Sequence, residues 1–108
     1  YSNKKLVSMD MEERYRLIIS TILNAIGCQV EVEHMLSTGR IDIVASTSRF
    51  IYVMELKLAN NGGINAAEKQ IIDNGYLKPF LADDRKVIGL AVELDDMGKG
   101  LIDWKEVK

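Results

Sequence analysis

Gly39-Arg40-Ile41-Asp42-Ile43-Val44-Ala45, then the polar link Ser46-Thr47-Ser48-Arg49, then Phe50-Ile51-Tyr52-Val53-Met54-Glu55-Leu56-Lys57-Leu58, form the most informative stretch of the chain. Two runs rich in β-branched and aromatic residues, joined by a short polar segment, read as two strands of a hairpin. Along the second run, side-chain alternation puts Tyr52, Met54, Leu56 and Leu58 on one face and Ile51, Val53, Glu55 and Lys57 on the other. Glu55 and Lys57 therefore sit together at the end of a face that begins apolar. Asp42 interrupts the first run between Ile41 and Ile43. It lies thirteen positions before Glu55, so pairing of the two strands can bring the two carboxylates together.

The flanking sequence completes the architecture. Residues 28–36 alternate Val30, Val32 and His34 with Gln29, Glu31 and Glu33, and Ser37-Thr38-Gly39 is a turn signal. Three strands with short links imply an antiparallel meander. Asn60-Asn61-Gly62-Gly63 breaks the pattern. A helix is expected from Asn65, with Glu68 completing a capping box, an inward stripe of Ala67, Ile71, Ile72 and Tyr76, and Pro79 marking its end. Residues 86–93 read as a strand buried on both faces. A loop at 95–100 and a short edge strand at 101–107 follow. Before the meander, Met11, Tyr15, Ile18, Ile19, Ile22 and Ile26 fall on one face of a helix over 10–26, with Asp10 and Glu13 as a capping box and Gly27 as the stop. The third strand, second helix and fourth strand form a right-handed βαβ crossover. The predicted fold is α/β: helix, three-strand meander, helix, strand, with a mixed central sheet flanked by helices.

Composition narrows the function. A chain of 108 residues is one small domain. With 47% hydrophobic and 28% charged residues it can fold without staples. Fourteen Lys and Arg against sixteen Asp and Glu give a charge of −2, with no basic arm or membrane-surface patch. The single cysteine, Cys28, excludes an internal disulfide and a Cys-rich metal site, and points to a reducing, cytoplasmic setting. No apolar run approaches the ~20 residues that span a bilayer. The chain begins with Tyr1 and reads as a piece of a longer protein, with residues 1–9 as a leader and 10–108 as the domain. His34, the only histidine, reads as a surface strand residue and Cys28 as core. Gly62-Gly63 lacks the lysine of a phosphate-binding loop and reads as a turn. Trp104 is expected to anchor the last element.

Two carboxylates converging on one face repel unless a positive charge sits between them. A hard divalent cation suits this, because Mg²⁺ uses one or two carboxylates and keeps several waters. Lys57 projects toward the same place and can stabilise an anionic transition state. Charged residues at strand ends also protect sheet edges, and an exposed Glu55–Lys57 pair is worth little energetically. The spacing leaves both readings open.

Gly39-Arg40-Ile41-Asp42-Ile43-Val44, followed by Tyr52-Val53-Met54-Glu55-Leu56-Lys57-Leu58, resembles the PD-(D/E)XK nuclease superfamily, and within it the C-terminal nuclease-like domain fused to AAA-type ATPases in gut-type bacteria. The resemblance runs from about Met11 to Val107 and implies a restriction-endonuclease-like core. It implies that Asp42 and Glu55 ligate Mg²⁺ or Mn²⁺ with the Leu56 carbonyl, that Lys57 is the catalytic lysine, that Glu12 (with Glu13 in reserve) adds an acidic residue, and that Gln70 completes the site. Tyr76 resembles a family tyrosine and is expected to pack. Ile41 stands where the motif's name has proline. The implied activity is metal-dependent hydrolysis of nucleic acid, DNA more than RNA, with an N-terminal ATPase region of the same polypeptide as partner and no membrane. Arg40, Arg49, Lys57, Lys69 and Lys78 are the candidate phosphate contacts, and Lys57 is the one expected to act. A catalytically inactive docking or regulatory domain on the same fold is the alternative.

Overall fold

The computed structural model describes the backbone from Lys4 to Lys108 and the side chains from Met11 onward. Helix α1 (Lys4–Ala25) leads into strands β1 (Gln29–Leu36), β2 (Gly39–Ser46) and β3 (Phe50–Leu58). Helix α2 (Gly63–Asp73) follows, then β4 (Lys86–Leu94) and β5 (Leu101–Val107), with 3-10 turns at Ala59–Asn61 and Lys78–Phe80. The strands form one sheet in the order β1-β2-β3-β4-β5. Because α2 carries the chain back between them, β3 and β4 are parallel, in register from Phe50 opposite Lys86 to Leu58 opposite Leu94. The other neighbours are antiparallel. The mixed sheet, the meander and the edge position of β5 follow the sequence reading.

Each face of the sheet carries its own core, as alternation along β3 requires. Ile51 and Val53 pack with Val44, Ala91, the α2 side chains Ala67 and Ile71, and Tyr76 just beyond that helix. Leu56 and Leu58 pack on the opposite face with Ile43, Ala45, Val92, Leu94 and Tyr15 of α1. Cys28 is buried in that second core, as expected.

Both helix starts differ from expectation. α1 begins at Lys4, so Asp10 lies inside the helix rather than at its start; the Asp10 side chain lies outside the described residues. α2 begins at Gly63 after Gly62, so Asn65 is interior too. One amide of its first turn, that of Ile64, is met from the sheet, where Glu93 of β4 accepts from it at 2.9 Å. Glu68 instead pairs with Lys105 at 2.9 Å. α2 also stops before Pro79. Gly75 adopts φ 62, and the amides of Gly75 and Tyr76 bond back to the carbonyls of Ile72 and Ile71, closing the helix in a Schellman turn.

The inward stripes shift as well. On α1, Met11, Tyr15, Ile19 and Leu23 meet the sheet, while Ile18, Ile22 and, just past the helix end, Ile26 remain 54%, 55% and 71% exposed. These are adjacent i, i+4 rows, and α1 lies across β1, β2 and β3, so only one row finds strands beneath it. Ile72 of α2 is exposed by the same geometry. Trp104 does not anchor β5. It is exposed and lines an open apolar groove of about 520 Å³ with Ile18 and Leu90. His34 is half-buried, 2.6 Å from Glu31 and against the Phe80 ring. Among the described residues no helix is long and apolar enough to cross a membrane.

One buried hydroxyl ties the first helix to the far end of the sheet. Tyr15 Oη donates to the Asp95 carbonyl at 2.8 Å and accepts from the Gly100 amide at 3.1 Å. Tyr15→Phe keeps the ring but strands the Gly100 amide, while the Asp95 carbonyl retains the Gly98 amide, so urea denaturation should show a loss of about 1–2 kcal/mol.

Candidate active site

The site exists because the sheet opens at one point. The β2–β3 ladder runs from Ser46 opposite Ile51 to Ile43 opposite Met54 and ends there. Asp42 and Glu55 would form the next pair. Instead Asp42 Oδ2 accepts a hydrogen bond from the Leu56 amide at 2.8 Å, so a side chain replaces the ladder bond. The β1 side is broken at the same level. Val32 pairs with Ile43 and His34 with Ile41, but the intervening Glu33 makes no pair with Asp42. Glu33 has φ 53, the one positive value at a non-glycine among the described residues. Such a backbone costs about 1–2 kcal/mol and persists only where its surroundings impose it. The break also switches faces: Ile43 belongs to the α1-side core and Ile41 to the α2-side core.

A cavity of about 580 Å³ opens at this point between the two helices. Asp42, Glu55, Leu56, Lys57, Gln70 and Glu12 all line it. The structure thus brings together every residue the sequence singled out for the site. Glu55 is 2% exposed, and its Oε1 has no hydrogen-bond partner. Burial first, and then the neighbouring Asp42 charge, push its carboxyl up to about 8, against a smaller opposing pull from Lys57. Burial also raises Asp42, opposed by the Leu56 amide and by Arg16. Lys57 makes no ion pair among the described residues, and its charge favours ionisation of both acids. Leu56 contributes its amide to Asp42, while its side chain lies in the α1-side core.

Glu12 faces the cavity and Glu13 is exposed, which settles their relative placement. The Glu12 Oε1 accepts from Asn61 Nδ2 at 3.1 Å, and its charge is felt at Asp42. Among the described residues no three His, Cys, Asp or Glu side chains gather closely enough to hold a metal ion. The donor set nevertheless fits a hard cation that keeps its waters. Asp42 and Glu55 supply two carboxylates, and the orphaned Glu55 oxygen lacks the positive partner that a buried charge requires.

Gln70 reaches the site from α2. Its Nε2 donates to the Tyr76 hydroxyl at 3.1 Å. Tyr76 packs fully, as expected, and does more. Its hydroxyl donates to the Arg40 carbonyl at 3.0 Å and accepts from the Arg40 amide at 3.1 Å. Gly39 leaves room for it, since a Cβ there would lie 2.6 Å from the hydroxyl. Tyr76→Phe strands both Arg40 groups and frees Gln70. Thermal denaturation should register a loss of about 1–3 kcal/mol.

Sequence reasoning missed Arg16, Glu33 and Asn74. Arg16 lines the cavity, 3.5 Å from Asp42 and 2.7 Å from Glu33. Its spacing of four residues from Glu12 places both on one helix face and was the available signal. Glu33 gave none, because the alternation of β1 points it to solvent. Among the expected phosphate contacts, Arg40 and Lys57 line the cavity. Arg49 lies in the β2–β3 hairpin at the other end of these strands, and Lys69 pairs with Asp73 on the surface.

The sheet thus parts between the two helices at a point where Asp42, Glu55 and Lys57 line one cavity. Residues 10–104 match the sequence profile of the PD-(D/E)XK nuclease superfamily, and the chain belongs to that superfamily. Nuclease chemistry on nucleic acid, generally with divalent metals, is the activity of this class. No curated protein and no solved structure matches the chain.

Proposed function

We propose that this domain is a metal-dependent nuclease with Asp42, Glu55 and Lys57 as its catalytic core. The observation that carries the reading is the buried, unpartnered Glu55 Oε1 beside Asp42, on the strand face that also presents Lys57. Asp42, Glu55 and the Leu56 carbonyl would hold Mg²⁺ or Mn²⁺, with Glu12 on the wall of the same cavity. Such an ion supplies Lewis-acid stabilisation of the charge that develops on the scissile phosphate.

The chain's own groups do the positioning. The Lys57 ammonium donates to the attacking water or to a phosphoryl oxygen. Gln70, whose amide nitrogen is held by Tyr76, presents its carbonyl oxygen to that water or to Lys57. Arg40 stands at the rim, where a flanking phosphate can reach it. The reading extends to DNA rather than RNA as substrate, to an ATPase region of the same polypeptide as partner, and to the bacterial cytoplasm.

A second reading, a catalytically silent docking module, draws on Arg16, which already compensates Asp42. Incubation with single- and double-stranded DNA and with RNA, in Mg²⁺, Mn²⁺ or EDTA, separates the two. Cleavage with either ion and none in EDTA is the expected result. Intact substrates under every condition would favour the docking module.

A further inference from the structure

We propose that Arg16 is the resident counter-ion of the carboxylate pair: it competes with a divalent cation for Asp42 and withdraws onto Glu33 when the cation binds. The inference rests on the metal reading above. Asp42 Oδ2 is committed to the Leu56 amide at 2.8 Å, which leaves Oδ1 to meet a ligand. Arg16 Nη1 stands 3.5 Å from that Oδ1. Both side chains are 13% exposed, so their interaction is weakly screened.

The guanidinium has a second, closer partner. Its Nη2 lies 2.7 Å from Glu33 Oε1. Arg16 can therefore release Asp42 and remain anchored. Glu33 is held in place by its left-handed backbone, φ 53, and its other oxygen faces Arg40 at 3.8 Å. The left-handed backbone at Glu33 takes its side chain out of the regular β1 alternation and within reach of Arg16. In this arrangement a guanidinium offsets the buried Asp42 until a metal does. The same guanidinium weakens metal affinity by like-charge repulsion.

Titration of the full chain with Mn²⁺ alone, following the free-ion signal by electron paramagnetic resonance, tests this without any reference to cleavage. Arg16→Gln should bind Mn²⁺ about tenfold more tightly than the unsubstituted chain. Should that variant fold poorly, Arg16→Met removes the same charge and keeps the packed stem. Glu33→Gln should weaken binding, and this effect should shrink to within about twofold in the Arg16→Gln background, because Glu33 acts through Arg16. Unchanged or weaker binding by the Arg16 variants overturns the proposal while leaving the metal site standing. An equal Glu33→Gln effect in both backgrounds overturns the withdrawal onto Glu33. Failure of both the unsubstituted chain and Arg16→Gln to retain Mn²⁺ at millimolar concentration overturns the metal reading, and this inference with it.

Discussion

Asp42→Ala and Lys57→Ala should each lower phosphodiester cleavage by about a thousandfold, and for separable reasons. Asp42 is a ligand and also part of the fold. Its Oδ2 is the acceptor for the Leu56 amide where the β2–β3 ladder has ended. Alanine there removes a carboxylate from the metal site and strands that amide, so Mn²⁺ affinity and about 1 kcal/mol of stability should fall together with activity. Lys57 makes no ion pair among the described residues and is half-buried on β3. Its loss should leave the fold and the carboxylates in place. Lys57→Ala should therefore keep Mn²⁺ binding and lose turnover, with the change in kcat rather than KM. Cleavage that survives both substitutions would place the chemistry elsewhere in the molecule.

The second large effect is on stability, and it depends on pH. Glu55 has an ordinary value of 4.5 and is pushed up to about 8 by burial and by Asp42. The folded chain therefore holds a proton that the unfolded chain releases between those values. The stability contributed is fully present below 4.5 and is lost as pH rises through 8. Asp42, also raised, adds to the same trend. Without divalent metal, denaturant titrations should show stability falling from pH 5 to pH 8. Glu55→Gln is isosteric with the protonated acid and has no proton to lose, so its profile should be flatter. At pH 8 it should exceed the unsubstituted chain by roughly 2–4 kcal/mol. Saturating Mn²⁺ should narrow that gap by stabilising only the chain that keeps Glu55. Parallel pH profiles for the two proteins would show that Glu55 is not the strained acid.

The sheet was legible because its signals are local. Alternation along Phe50–Leu58 placed the two faces of β3 correctly, and the apolar run Val87–Val92 announced a strand covered on both sides. The site residues were legible by pattern, since Asp42 and Glu55 break otherwise apolar strands. What escaped is what depends on packing between distant elements. Helix caps were misassigned because the Ile64 amide finds its acceptor on Glu93, twenty-nine residues away, rather than on a residue beside the helix start. Choosing between the rows Met11-Tyr15-Ile19-Leu23 and Ile18-Ile22-Ile26 required knowing which strands lie under α1. Glu33 reaches Arg16 only because the backbone leaves strand geometry there, and nothing in the residues 29–36 marks that departure.

The central claim, that Asp42 and Glu55 form a cation site at the opening of the sheet, is tested most directly by crystals grown with Mn²⁺ and measured at a wavelength where manganese scatters anomalously. The expected map has a peak bridging the two carboxylates beside the Leu56 carbonyl, absent in Asp42→Asn. A well-diffracting crystal with both carboxylates ordered and no peak between them, or with manganese bound elsewhere, would contradict the claim.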